Sequence, residues 1–436
     1  MTQSHTGMVI IGGGLAGFLA ASMMSAKLIA RGNSAPITII SDEPYLPYDR
    51  TALSKEFLMG GMDAGRLNLQ PPNWYLTANI ILNLGDRVVA IDREKNLLTL
   101  SQGSQIAYSG LVLALGARAH PLFSTALKKT DRRRIIALEN LDDALYLREY
   151  LQLGMRLVII GGGFIGLELA SIAARMGCLV TVVEARNAML SDVMMAEITE
   201  RLIEIHRLRS VEFYTNDYCT GVNELADRVE VKLAQNGTLI ADMVVVGIGI
   251  TPNIDLAAAS ALKTDKNFGI IVNEFGQTDD PRIFAIGRCS CIAAPPEHNK
   301  VGKNPTENSE AEIIAVPRHL GAINDQINKM VAHMFHEPSP PANLPLITSE
   351  QYGIELSILG EGFSAEPVLW RGHPLREPTI AFITEEGRVI GAVGFNAGQD
   401  IPHVTSIINS QKRFSPENLV DLRVKLSDLA KKAGKK

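Results

Sequence analysis

Six glycines have the clearest chemical use in this chain. Gly12, Gly14 and Gly17 follow Val9-Ile10-Ile11, and Gly161, Gly163 and Gly166 follow Leu157-Val158-Ile159-Ile160. Each set is a G-x-G-x-x-G turn between an apolar β-branched run and an Ala/Leu-rich stretch. That order suits a dinucleotide diphosphate. The first glycine makes the tight turn, the second admits the phosphates to the backbone, and the third lets helix and strand pack closely. The phosphates then meet the unbonded N–H groups and the positive dipole end of the helix. Two copies imply two dinucleotides in one protein, and the economical use of such a pair is electron transfer between them. An acidic residue follows each unit. Glu184 ends the predicted strand 179–183, where a carboxylate accepts from both ribose hydroxyls and repels a 2′-phosphate, so NAD(H) is expected over NADP(H). Asp42 takes the corresponding place after the predicted strand 36–40, its spacing lengthened by Arg31-Gly32-Asn33-Ser34.

The elements that must position these residues are legible at low resolution. Strand then helix is expected over 8–30. A Pro-rich loop follows, Pro44 to Lys55, with little periodicity. Antiparallel strands are expected at 80–84, 87–92, 97–100 and 111–115. A second unit begins near residue 119, with a βαβ core from Arg156 to Glu184. Gly247-Ile248-Gly249-Ile250-Thr251-Pro252-Asn253 reads as a crossover back to the first unit. A buried strand is expected at 281–287 and a helix at 310–334. Pro338-Ser339-Pro340-Pro341 marks a linker. Beyond it lies an α+β domain with helices near 401–411 and 415–433.

The 436 residues suffice for two or three domains of roughly 100–200 residues each. A net charge of −5 gives no reason to expect nucleic acid or an anionic membrane surface, and the basic end from Lys431 to Lys436 reads as a frayed tail. The N-terminal apolar run opens directly into glycines, so it is expected to be a core strand and not a signal sequence. Cys178 and Cys219 are expected to be small core residues. Cys289-Ser290-Cys291 is a C-x-C without a second ligand pair, so buried thiols in a reducing cytoplasm are expected and no metal site.

With these segments assembled, the chain resembles the FAD-dependent, NADH-using ferredoxin reductases that serve oxygenases. That group includes the reductase components of aromatic-ring dioxygenases and the putidaredoxin and rubredoxin reductases. The resemblance rests on Gly12–Gly17, Pro47-Tyr48-Asp49-Arg50 with Leu53-Ser54-Lys55, Gly161–Glu168, Gly247–Asn253 and Asp280–Gly287. It implies an α/β fold of two Rossmann-like, glutathione-reductase-like domains plus a C-terminal α+β domain. FAD would be held by 1–118 with 250–337, NAD(H) by 119–249, and 342–436 would form the C-terminal reductase domain. By the same resemblance Lys55 lies near the flavin and pairs with Glu168, and the two position the nicotinamide for hydride transfer. Ala16, Val88 and Gly249 complete the implied cofactor-binding set. The implied partner is a [2Fe–2S] ferredoxin, Rieske type included, that feeds an oxygenase. The protein would be cytoplasmic, as monomer or homodimer.

The sequence departs from this family on the flavin side. After Ala285-Ile286-Gly287 the family has Asp, a hydrogen-bond acceptor for the ribityl chain, and here stands Arg288. A cation at a helix N-terminus opposes the dipole, unless it reaches the diphosphate. Glu139 takes the place of a family arginine, so the two charges are exchanged and would pair. A double-mutant cycle on flavin affinity tests that hypothesis, and absence of coupling dismisses it. Ala114-Leu115-Gly116 replaces Ala-Thr-Gly, and Ile347 stands where the family has an aromatic residue. The NAD-side residues all fit. Thiol-based peroxide or disulfide reduction is disfavoured, because no cysteine lies between Asp42 and Lys55. A non-enzymatic alternative stays open: a nucleotide-binding or redox-sensing relative with weak or lost flavin binding.

Overall fold

The computed structural model describes residues 7–120, 122, 134–293, 313–315, 320–373 and 378–434. These fall into two compact units. Unit 1 lies within Met1–Arg50, Ala64–Arg118 and Ile250–Asn343, and unit 2 within Thr51–Asp63, Ala119–Gly249 and Leu344–Lys436. The Thr51–Asp63 segment therefore groups with unit 2. Arg148 holds it there by donating to the Met62 carbonyl and by lying 4.9 Å over the Phe57 ring.

Unit 1 is built on β1 (Met8–Ile11), α1 (Leu15–Ala30) and β2 (Ile37–Ser41). Its main sheet runs in the order Ile283–Ala285, Gly110–Leu113, β1, β2, Ile80–Leu84, and every neighbouring pair is parallel. Ile80–Leu84 and Gly110–Leu113 were expected in an antiparallel set and join this sheet instead. Gly110–Leu113 is buried at every position, as a strand covered on both faces must be. Only Val88–Asp92, Leu97–Leu100 and Gln105–Ala107 form the antiparallel meander. Residues 313–315 are a strand rather than the expected helix, and the helix spans Leu320–Met334. The expected helical residues 310–312 and 316–319, and the tail end Lys435-Lys436, lie outside the described residues.

Unit 2 repeats the plan with β3 (Arg156–Ile160), α2 (Phe164–Arg175), β4 (Leu179–Val183) and α3 (Ala196–Arg207). Its parallel sheet runs Glu212–Tyr214, β4, β3, Met243–Val246, Ile135–Ile136. A second sheet in this unit is antiparallel and begins with β5 (Leu346–Gln351) and β6 (Ile354–Gly360). The expected last helix is two, Pro416–Val420 and Leu426–Gly434, because Asp421 caps an interruption by accepting from Arg423 N–H. Among the described residues no helix is long and apolar enough to cross a membrane.

Candidate functional site

The two glycine turns have the same construction. Gly12 donates to the Ile40 carbonyl and Gly161 to the Val183 carbonyl, both at 2.8 Å. Each turn is pressed against the end of the strand on the other side. A Cβ on Gly12 would lie 2.2 Å from the Ala114 carbonyl oxygen, and one on Gly161 2.3 Å from that of Gly247. Both have positive φ, 120° and 114°. The third glycines close the corner. Added Cβ atoms on Gly17 and Gly166 would lie 2.0 and 2.2 Å from the carbonyl oxygens of Gly12 and Gly161. The middle glycines are different: around Gly14 and Gly163 a Cβ would meet nothing within 4 Å. They are the N-caps of α1 and α2. Neither helix has a side-chain cap or an acidic residue in its first turn. Two long helices thus begin on bare N–H groups facing open space, at the strand ends where the sheet order switches direction. The residues fit a diphosphate at both places.

The acids after β2 and β4 are not equivalent. Register places Ile40 opposite Ile11 and Val183 opposite Ile160, so the ladder counterpart of Glu184 is Ser41. Glu184 accepts from Gly162 N–H at 2.7 Å and Arg186 N–H at 3.0 Å, which aims it across the glycine turn. Asp42 stands one residue further on. Its side chain is 61% exposed, with Arg87 at 3.9 Å. Asp42 thus sits just past the end of β2, one residue beyond the ladder counterpart of Glu184.

The other flavin-side candidates also sit in unit 1. Val88 buries its side chain in the core beside Leu98 and Leu100 and pairs in register with Leu100, so its side chain is not offered to a ligand. Ala16 lies in the first turn of α1, and a Cβ on Gly287 would come 3.1 Å from its Cβ. The exposed Arg288 therefore follows a turn laid against the start of α1. It does not head a helix of its own. Gly287–Cys289 is a single 3-10 turn followed by strand, so no macrodipole opposes it at that element. In unit 2, Glu139 accepts from Ala119 N–H, and Gly249 (φ 113°) accepts from His120 N–H at 2.9 Å.

Lys55 and Glu168 are both in unit 2, yet they form no direct ion pair. Glu168 is 5% exposed on the second turn of α2. Ser54 Oγ donates to its Oε2, and Ser349 Oγ donates to Oε1 at 2.7 Å. Two hydroxyls occupy the carboxylate, and the half-buried Lys55 acts on it only through its charge. Burial pushes the Glu168 carboxyl above its usual range, against the two hydroxyl bonds, the charge of Lys55 and the Glu350 N–H. Taking a carboxylate out of water costs several kcal/mol, and here that cost outweighs the bonds to its charge.

The same unit places beside Ser349 a set of residues that motif reasoning missed. Gln351 Nε2 donates to Ser349 Oγ at 3.3 Å. Its Oε1 lies 2.7 Å from His206 Nε2, and the Tyr352 hydroxyl lies 3.1 Å from His206 Nδ1. His206 is fully buried on α3, and burial pushes its ring down to about 4. The signal was present in the spacing Ile198, Leu202, His206, which puts the histidine on the apolar stripe of a helix. All four cysteines are buried free thiols, and burial pushes Cys289 and Cys291 up to about 11.

Residues 6–311 match the pyridine nucleotide-disulphide oxidoreductase family. The chain belongs to that family. Residues 348–430 match the reductase C-terminal domain. The chain is 32% identical to the ferredoxin–NAD(+) reductase component of an anthranilate 1,2-dioxygenase system from Burkholderia cepacia, covering 96% of this chain and 98% of that one. It is 31% identical to putidaredoxin reductase of Pseudomonas putida, covering 98% and 97%. The crystal structure of the covalent putidaredoxin reductase–putidaredoxin complex superposes with a TM-score of 0.84 at 28% identity over the whole of both chains. The expected doubly built α/β fold with a C-terminal reductase domain is therefore that of this oxidoreductase family.

Proposed function

We propose that this oxidoreductase is an NADH-dependent ferredoxin reductase, with FAD and NAD(H) as cofactors and a [2Fe–2S] ferredoxin as electron acceptor. When bound, the nicotinamide supplies a hydride and the flavin takes up its two electrons and releases them one at a time. The observation that carries the reading is Glu168, a buried carboxylate on the second turn of the helix that opens at Gly163, clasped by Ser54 and Ser349 and adjoining Lys55 in charge. A carboxyl kept out of water on a helix that begins at an open glycine turn supports a functional role.

Each residue has a task in this reading. Gly161, Gly163 and Gly166 bring the start of α2 to the NAD(H) diphosphate, and Glu184 accepts from the adenosine ribose. Gly249 keeps the backbone open beside that cradle. Glu168 orients the carboxamide end of the nicotinamide, with Lys55 adding a positive field. Gly12, Gly14, Ala16 and Gly17 hold the FAD diphosphate, Asp42 the FAD ribose, and Val88 offers its backbone. Arg288, beside the start of α1, neutralises part of the diphosphate charge. Segments 1–118 and 250–337 carry FAD, 119–249 carries NAD(H), and 342–436 is the C-terminal domain. The ferredoxin hands its electrons to an oxygenase. Four free thiols suit the cytoplasm. The alternative of a relative that lost turnover gains no support from relatives that are reductases.

The test is an anaerobic spectrum of the purified protein with NADH, then with an oxidised [2Fe–2S] ferredoxin. Flavin absorbance that bleaches with NADH and recovers as the iron–sulfur bands fade is expected. Protein that retains no flavin after incubation with FAD, or flavin that NADH leaves oxidised, overturns the reading.

A further inference from the structure

Glu168 is the end of a hydrogen-bond chain that runs through the C-terminal sheet to α3. The chain has four links. Tyr352 faces His206 Nδ1, His206 Nε2 faces Gln351 Oε1, Gln351 Nε2 donates to Ser349 Oγ, and Ser349 Oγ donates to Glu168 Oε1. Glu168, Ser349, Gln351 and His206 are all at least nine-tenths buried.

Donor and acceptor rules fix the direction of the chain. An ionised Glu168 only accepts, so Ser349 must spend its single O–H on it. Ser349 Oγ then takes an N–H from Gln351, which leaves Gln351 Oε1 turned to His206. His206 must therefore carry its proton on Nε2, and its bare Nδ1 accepts from Tyr352 O–H. Every donor points toward the carboxylate. Protonating Glu168 on Oε1 would reverse that order, so an added proton is directed to Oε2, on the side of Ser54. The carboxyl would donate to Ser349, Ser349 would donate to Gln351, the Gln351 amide would have to turn over, and His206 would have to move its proton to Nδ1. The amide cannot reverse without rotating, so the chain resists this change as a unit.

The far end is held under strain. Tyr352 and Gly353 form the two-residue turn between β5 and β6, with φ of 57° and 75°. Such turns favour Asn-Gly, because both central residues have positive φ, and a bulky side chain there is costly. Tyr352 is kept in place by its N–H donating to Ser171 Oγ at 2.7 Å, by edge-to-face contact with His206 at 4.8 Å, and by the Arg209 guanidinium 4.3 Å over its ring.

We propose that His206, Gln351 and Tyr352 are positioning residues for Glu168, forming with Ser349 a one-directional hydrogen-bond relay that holds its Oε1 as an oriented acceptor. The groups facing Glu168 are Ser54, Lys55, Ser349 and the Glu350 N–H, and those facing His206 are Gln351, Tyr352, Phe213 and Arg209. Lys55 and Arg209 are the cations among them. Arg209 disfavours a charged His206, and Lys55 favours a charged Glu168, so both act in the direction of the relay. What an oriented Glu168 does for the nicotinamide rests on the reductase reading above; the relay itself does not.

The test is read on the protein as purified, without NADH or ferredoxin, so it stands apart from the reductase reading. Histidine-selective nitrogen-15 labelling reports the His206 ring. A neutral ring with the proton on Nε2, unchanged down to about pH 5, is expected. A proton on Nδ1, or a ring that titrates at the ordinary histidine value, overturns the proposal, and this needs no variant. The infrared band of a protonated carboxyl, assigned by its loss in Glu168→Gln, then follows Glu168 with pH. Ser349→Ala and Gln351→Leu should move its midpoint upward, the first by about one to two pH units as expected for losing one hydrogen bond to charge, and Ser349→Thr should restore it. A midpoint unchanged in both variants overturns the relay.

Discussion

Gly163→Ala and Gly166→Ala are the same chemical change three residues apart, and they should fail in opposite ways. At Gly166 the new Cβ would lie 2.2 Å from the Gly161 carbonyl oxygen and 3.3 Å from Ile159 Cγ2. Gly161 cannot retreat, because its N–H is bonded to Val183 at 2.8 Å and its other face abuts Gly247. The helix must move away by about 1 Å, an overpacking that costs about 3 kcal/mol at the upper end of the usual range. Better helix propensity returns about 1 kcal/mol. The net loss of about 2 kcal/mol corresponds to a fall in Tm of roughly 4–8 °C. At Gly163 the backbone is extended (φ −80°, ψ −178°), which any residue adopts, and the Cβ meets nothing. Stability should change by no more than about 1 kcal/mol, the difference between glycine and alanine as N-caps. The methyl group would instead stand over the bare N–H groups of α2. Losing one charge-assisted bond there costs roughly 1.5–3 kcal/mol, or about 10- to 150-fold in NADH affinity. Thermal melts and NADH titration by fluorescence distinguish the two. Wild-type NADH affinity in Gly163→Ala, or an undisturbed Tm in Gly166→Ala, refutes the reasoning.

Further outcomes follow from the same geometry. Glu184→Gln keeps the shape but removes the charge, so the preference for NADH over NADPH in flavin reduction should shrink by about tenfold or more; an unchanged ratio counts against a ribose role for Glu184. Arg288→Gln should weaken FAD binding in an equilibrium dialysis, and tighter binding would mean the cation is a burden on the site. His206, ordinarily near 6.5 and held at about 4 when folded, is buried neutral. Its contribution is fully present above pH 6.5, and as pH falls from 6.5 to 4 the unfolded chain takes up the proton first. Stability should therefore drop by about 3 kcal/mol over that window. Glu168, held above its ordinary value, has the opposite sign, so the comparison is Glu168→Gln with and without His206→Gln, by denaturant midpoint against pH; a loss of slope is expected in the double variant. The four thiols should resist a thiol reagent in the native protein at neutral pH and react on unfolding.

The sequence made the cofactor cradles legible because their chemistry is local. Strand, glycine turn and helix lie within about ten residues, and the first and third glycines answer to a neighbour in the same motif or at the adjoining strand end. Non-local pairing was less visible. Ile80–Leu84 and Gly110–Leu113 look like the antiparallel strands beside them, and only their partners across the sheet make them parallel. Lys55 and Glu168 were found through resemblance to a family, but the contacts of the carboxylate were not, since Ser54 and Ser349 are common residues far apart in sequence whose roles exist only in the fold. The same holds for His206, whose helical spacing shows burial and whose partners come from another sheet. Asp42 was chosen by proximity to a strand end, and the register that makes Ser41 the ladder counterpart of Glu184 is visible only in the fold.

The sheet order of unit 1 also sets a timetable for synthesis. Gly110–Leu113 takes Ile283–Ala285 as its outer neighbour, which leaves the ribosome about 170 residues later. At the usual pace of roughly 5–20 residues per second, the outer edge of that nascent strand waits some 10–30 s. Meanwhile the parallel sheet of unit 2 can close as soon as Met243–Val246 emerges. The inserted segment Ala119–Gly249 is thus able to form its sheet before unit 1 is complete, while the Leu344–Lys436 part of unit 2 follows last. An apolar strand edge left open for that long is a natural point for chaperone engagement, and for aggregation when expression outruns it.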